Sequence, residues 1–121
     1  MSQVKTHQPT AFSPSVASGQ VDGDMELLKE IIGIFLDDYP KTMALIEAAV
    51  NESNATNLEH YAHSLKGAAS NFGAATTVEA ALNLEMMGRN GDLASAAQLL
   101  SQLRQEVSKL ERDMVEYRKT L

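Results

Sequence analysis

The chemistry open to this chain is set first by which nucleophiles it has. There is no cysteine, which excludes a thiolate nucleophile, a thiolate zinc site, an iron–sulfur cluster and a disulfide framework. Imidazole remains, because it is largely unprotonated near neutral pH and then attacks without a separate base. Of the three histidines, His7 lies in a polar N-terminal stretch and reads as incidental, whereas His60 and His63 share a helical pattern. Around His63 the spacing is informative: Lys66 follows at three residues and Gly67 at four, one helical turn on. Glycine inside a helix costs ~1 kcal/mol relative to alanine, and no kink or cap here accounts for it. A missing side chain one turn from the imidazole would let a bulky group or another backbone approach, and Lys66 would neutralise an anion attached to the ring. The combination points to a phosphorylated histidine.

The helix that must carry these residues runs from Thr56 towards Gly73. With Leu65 at the centre of the inner face, Leu58, Tyr61, Ala62, Ala68, Ala69 and Phe72 fall beside it as a buried stripe. His63 falls about 160° away, on the solvent side. Glu59, His60, Gly67 and Ser70 share that outer face, and Lys66 sits on its flank. His60 and His63 have a spacing able to clip a surface metal ion, but no third ligand accompanies them and the Glu-x-x-His pattern of bundle di-iron sites is absent. No metal site is expected; His60 reads as a neighbour of the docking face.

The remaining elements read as helices too. Residues 1–22 form a polar Ser/Thr/Gln/Pro/Gly tail or linker, with the alternative that Phe12 and Val16 form a short helical turn covering one end of a bundle. Residues 23–121 form the domain. Behind Asp24 as N-cap, Met25, Leu28, Ile31, Ile32, Phe35, Leu36 and Tyr39 predict a helix to Asp38. Pro40 suits a first helical position, so a separate second helix is expected from there, with Met43, Ile46 and Val50 inward. Thr56 with Glu59, and Thr76 with Glu79, have capping-box spacing and mark the third and fourth helices. Gly73 closes the third, Gly88 to Gly91 close the fourth, and Asp92 caps the fifth. That last helix carries Leu93, Ala97, Leu100, Leu103, Val107, Leu110, Met114, Tyr117 and Leu121 inward, and at roughly 28 residues and 42 Å it should outreach the others. Met86 and Met87 read as core filling. Strand alternation and hairpin signals are missing, so the fold class is all-α, an antiparallel helical bundle.

Composition narrows the partners. The 121 residues suit one domain, and 44% hydrophobic residues suffice for a core. A formal charge of −6 has the wrong sign for nucleic-acid binding. No apolar run approaches the ~20 residues of a membrane span, and the N-terminus lacks the apolar region of a secretory signal. A cytoplasmic monomer is the expectation. The seven glycines form no Gly-rich nucleotide loop, so the chain is expected to have no ATP-binding or autokinase machinery.

His63-Ser64-Leu65-Lys66-Gly67, followed by Ala68-Ala69-Ser70-Asn71-Phe72-Gly73, resembles the signature of histidine-containing phosphotransfer (HPt) domains. The resemblance extends from about Asp24 to the C-terminus, including Phe35 ahead of Pro40 and Leu84-Glu85 before Gly88, Arg89 and Gly91. It implies an antiparallel four-helix bundle with an accessory N-terminal helix, which on this count of helices is Pro40 to Leu121 with Asp24 to Asp38 packed on it or the reverse. It likewise implies His63 as phosphoacceptor, Lys66 as a nearby positive charge, Gly67 as the clearance position and Ser70 on the partner face, where Glu59 and His60 lie by their position on the helix. It also implies a phosphoryl group arriving from an aspartyl phosphate on a response-regulator receiver domain, which brings its own acidic pocket and Mg²⁺, and passing to another receiver or back. A hybrid histidine kinase is a further partner in this reading, and the chain itself binds no cofactor. The competing reading is a helical adaptor that binds a receiver domain or a partner helix without being phosphorylated.

Overall fold

The structure is a computed structural model and describes residues 10–121; His7 and residues 1–9 of the expected tail lie outside the described residues. Five helices follow one another: α1 (Pro14–Gln20), α2 (Met25–Asn51), α3 (Ala55–Ser70), α4 (Ala75–Asn90) and α5 (Ala96–Arg118). Short connections make α2 to α5 antiparallel neighbours in an up-down-up-down bundle, with α3 against α2 and α4, and α5 closing the ring against α4 and α2. One core fills the centre, with Leu28, Ile32, Ile46, Leu58, Leu65, Leu84, Leu103, Leu110 and Met114 fully buried. No described residue is in a strand.

Several expected boundaries move, each for a physical reason. Pro40 does not start a second helix: α2 runs through it. Proline removes one amide donor and crowds the preceding turn, at a cost of ~3 kcal/mol in a helix interior. Against that, Leu28, Ile32, Phe35, Met43, Ile46 and Ala49 form one buried stripe that keeps its phase across the proline, and packing of such a stripe provides most helical stability. Pro40 itself is exposed. At 27 residues α2 extends about 40 Å, so it partners α5 in length, and α5 is not uniquely long.

Asn54, not Thr56, caps α3, its Oδ1 accepting from the Asn57 amide at 3.0 Å. Thr76 lies inside α4, whose N-cap is Ala74 without a side-chain bond; the Thr76 amide donates instead to the Thr10 carbonyl at 3.2 Å. Asp92 accepts from the Ala94 amide in the loop, and α5 begins at Ala96 with Ser95 before it. In consequence Ala96 is buried and Ala97 exposed. Asp24 does cap α2, accepting from the Leu27 amide at 3.1 Å. Gly91, at φ +74°, ends α4, while Gly88 is buried within the helix. Met87 is half-buried against the core, but Met86 is 38% exposed, so only one of the two methionines fills it.

The short α1 closes one end of the bundle. Ala17 and Val21 are buried, the Ser13 amide donates to the Phe72 carbonyl at 2.9 Å, and the Phe12 ring packs on Tyr117 with centroids 5.4 Å apart. Residues 10–21 thus belong to the packed structure rather than to a tail. Gly73 turns the chain between α3 and α4 at φ +61°, with the Ser13 and Val16 side chains against it.

Candidate functional site

His63 projects from the middle of α3 with 66% of its side chain exposed, in agreement with the outer face expected for it. The buried face of α3 is Leu58, Ala62, Leu65 and Ala69, with Tyr61 half-buried. Ala68, expected inward, is exposed, and the buried arc is correspondingly narrower. Beyond His63 the surface opens: a Cβ added at Gly67 would meet no atom within 4 Å. Nothing inside the molecule therefore requires glycine there, and its helix cost is left without an internal reason.

Beside the imidazole lies a carboxylate that the spacing along α3 does not disclose. Glu85 of α4 is 2% exposed, and its Oε2 is 2.9 Å from His63 Nδ1. Its Oε1 is paired with Lys66 Nζ at 2.8 Å. Arg89, one turn further along α4, donates from Nη2 to Glu85 Oε2 at 3.1 Å and from Nε to Glu59 Oε2 at 2.9 Å. Burial alone would raise the Glu85 pKa; hydrogen bonds and charges from Lys66 and His63 outweigh it and hold the carboxyl below its ordinary value. The guanidinium of Arg89 is pushed up by its bond to Glu59 and the charge of that carboxylate, with a smaller contribution from Glu85.

Glycine 88 explains how a carboxylate on α4 reaches a ring on α3. A Cβ at that position would lie 2.6 Å from the Ala55 carbonyl oxygen and from the Glu59 amide nitrogen, so the two helix backbones touch there. With Ala62, Ala69, Ala80 and Ala81 also buried, α3 and α4 approach closely along their length. Glu85, one turn before Gly88, is thereby pressed against His63 and Lys66.

The predicted site residues thus separate into two groups. Glu59, His63 and Lys66 are tied together through Glu85 and Arg89, which the sequence reading named within the family resemblance but gave no role in the site. The available signal was phase: Ala81, Glu85 and Gly88 are spaced by four and three, which puts an acid on the stripe of α4 that faces α3. His60 is outside the ion-pair network; its ring meets Tyr61 edge-on at 5.1 Å, and it lines a shallow hollow with Thr56, Glu59, His63, Glu85 and Arg89. Ser70 turns its hydroxyl back onto its own helix, donating to the Gly67 carbonyl at 2.7 Å. Among the described residues no three His, Asp or Glu side chains gather as a metal site would need.

On the other side of α3 an apolar groove runs between it and α2. Ile31, Ile34, Phe35, Ser64, Ala68 and Phe72 are among its walls, and Ile34 is 55% exposed. It adjoins the open surface at Gly67. No helix among the described residues is long and apolar enough to cross a membrane.

Comparison with known proteins agrees with this arrangement. The sequence model of the Hpt domain matches residues 30–113. Among solved structures, histidine-containing phosphotransfer protein B from Pseudomonas aeruginosa PAO1 superposes with a TM-score of 0.86 at 24% identity, over 94% of this chain and 99% of that one. The HPT domain of a sensor hybrid histidine kinase from Shewanella superposes with a TM-score of 0.79 at 20% identity, over 92% and 96% of the two chains. Identities this low bear on the fold alone. Comparison with curated proteins finds no match.

Proposed function

The chain belongs to the Hpt domain family and has a phosphotransfer role in two-component phosphorelay signalling, and we propose that His63 is the residue that carries the phosphoryl group. The observation behind this assignment is the pairing of an exposed imidazole with open space at Gly67 one turn away. In the proposed reaction an imidazole nitrogen attacks the phosphorus of an aspartyl phosphate on a receiver domain. The N–P bond forms as the P–O bond to the aspartyl carboxylate breaks, and the carboxylate leaves with its electron pair. The reverse transfer, to a second receiver or back to the first, uses the same face.

Charge and shape supply the rest of the reading. The receiver brings the acidic pocket and Mg²⁺; this chain contributes the nucleophile, the positive charges of Lys66 and Arg89 beside it, and a surface free of side chains at Gly67. The groove with Ile34 and Ala68 next to that clearance supports docking of the receiver over the α2 and α3 face, with a hybrid kinase as one source of such a domain. We place the chain in the cytoplasm as a monomer.

Mass spectrometry of peptides from the chain, after exposure to a phosphorylated receiver with Mg²⁺ and handling at neutral pH, tests the assignment. Phosphate on the peptide spanning His63 and no other is the expected result. Phosphate on His60, or binding of the receiver with no phosphate acquired, would overturn it, the latter in favour of an inert adaptor.

A further inference from the structure

The hollow beside His63 holds one ionisable side chain that the pairing around Glu85 does not use, and we infer that it is a proton-linked phosphoryl partner: His60 takes up a proton when His63 is phosphorylated and holds the phosphoryl group by a charge-assisted hydrogen bond. The inference rests on His63 being the phosphoacceptor. Residues three apart on a helix are neighbours, with Cβ atoms about 5–6 Å apart. The two rings accordingly line one hollow, with Thr56, Glu59, Glu85 and Arg89 as its other walls.

The charges around His60 are matched before any phosphate arrives. On α3, Glu59 is paired with Arg89; on α4, Glu85 faces Lys66, Arg89 and His63. Two carboxylates thus meet two permanent cations, and the ring of Tyr61, edge-on at 5.1 Å, completes the surroundings of the His60 ring. A phosphoryl group on His63 brings close to two further negative charges at neutral pH. Lys66 or Arg89 can answer them only by turning from Glu85, which is 2% exposed, and a buried carboxylate deprived of its partners is costly. His60 has no such partner to give up: it is exposed and outside the ion pairs, and an imidazole can gain a full charge near neutral pH. The cation so formed donates an N–H to a phosphoryl oxygen, the stronger kind of hydrogen bond. Linkage makes the effect reciprocal, so phosphorylation favours the proton on His60 and acid favours the phosphorylated chain.

Histidine ring spectra of the full chain at pH 7, before and after phosphorylation by phosphoramidate, read the proton uptake; the His60 signals are identified by their loss in His60→Gln. On phosphorylation they should move towards their acid-limit positions. The reciprocal effect is read from the ratio of phosphorylated chain to phosphorylated receiver domain, with Mg²⁺, at pH 6 and pH 8. Between pH 8 and pH 6 that ratio should rise about 3-fold more for wild type than for His60→Gln, the order expected for one charge facing the phosphoryl group across a helical turn in physiological salt. His60→Arg, whose charge is permanent, should retain phosphate at pH 8 better than wild type and follow His60→Gln in its weaker pH dependence. Phosphate on His63 with the His60 signals unmoved, or with proton uptake confined to the His63 ring, would overturn the inference and leave the phosphoacceptor assignment standing. So would equal pH dependence in wild type and folded His60→Gln. A chain that acquires no phosphate on His63 would overturn both.

Discussion

At the scale of residues, the site is an exposed nucleophile on a buried counter-charge. Burying a carboxylate costs several kcal/mol unless it is paired, and Glu85 has Lys66, Arg89 and His63 around it. Its lowered pKa makes the sign of the pH effect definite. The unfolded chain takes up the proton first as pH falls, so Glu85 stabilises the fold above the ordinary carboxylate value, and the contribution is lost as pH falls through its lower value in the folded state. The Tm difference between wild type and Glu85→Gln should therefore shrink on acidification, as a thermal melt series in pH would show; parallel curves would contradict the pairing. Gly67 gives the opposite kind of prediction. Gly67→Gln places a side chain in empty space and should raise helix stability by up to ~1 kcal/mol, while slowing transfer from a receiver by obstructing its approach. A stabilised variant with unimpaired transfer would remove the clearance role. His63, Lys66 and Gly67 were legible in the sequence because their relation is local, three and four residues along one helix. The role of Glu85 was not, since His63 and Lys66 belong to another helix; the resemblance named the residue, and its phase between Ala81 and Gly88 was the local sign that it faces them.

At the scale of elements, the closeness of α3 and α4 determines the site. Gly88→Ala would gain ~1 kcal/mol of helix propensity, yet its Cβ would lie 2.6 Å from backbone atoms of α3 that cannot rotate aside. Overpacking of this kind costs about 1–3 kcal/mol. The expected outcome is a net loss of stability in chemical denaturation together with slower phosphotransfer, because Glu85 is carried away from the ring. Gain of stability would mean that the helices are not in contact there. Elements were less legible than the site. Pro40 read as a boundary, whereas the buried stripe running from Leu28 to Ala49 through it was the stronger signal. Thr76 read as a cap because its spacing to Glu79 fits one, but the amide it would have freed is taken by the Thr10 carbonyl, 66 residues away in sequence. Local rules fail where a distant segment supplies the missing partner.

At the scale of the whole molecule, the N-terminal segment holds together the end of the bundle at which α3 turns into α4. Ala17 is fully buried there, and Ser13 and Thr10 bond to the turn. Ala17→Asp would bury an unpaired charge and should lower stability by several kcal/mol, with faster hydrogen exchange in α1 and the turn at Gly73; unchanged exchange there would show that the segment is not part of the cooperative unit. The site lies at the middle of α3, so the bundle acts on it as a frame that presents His63 to a partner. That presentation is the central claim, and transfer of labelled phosphate from a phosphorylated receiver domain with Mg²⁺ tests it most directly when wild type and His63→Gln are compared. The account predicts acid-labile, base-stable label on wild type and none on His63→Gln, with both chains folded. Label on His63→Gln equal to that on wild type would contradict it.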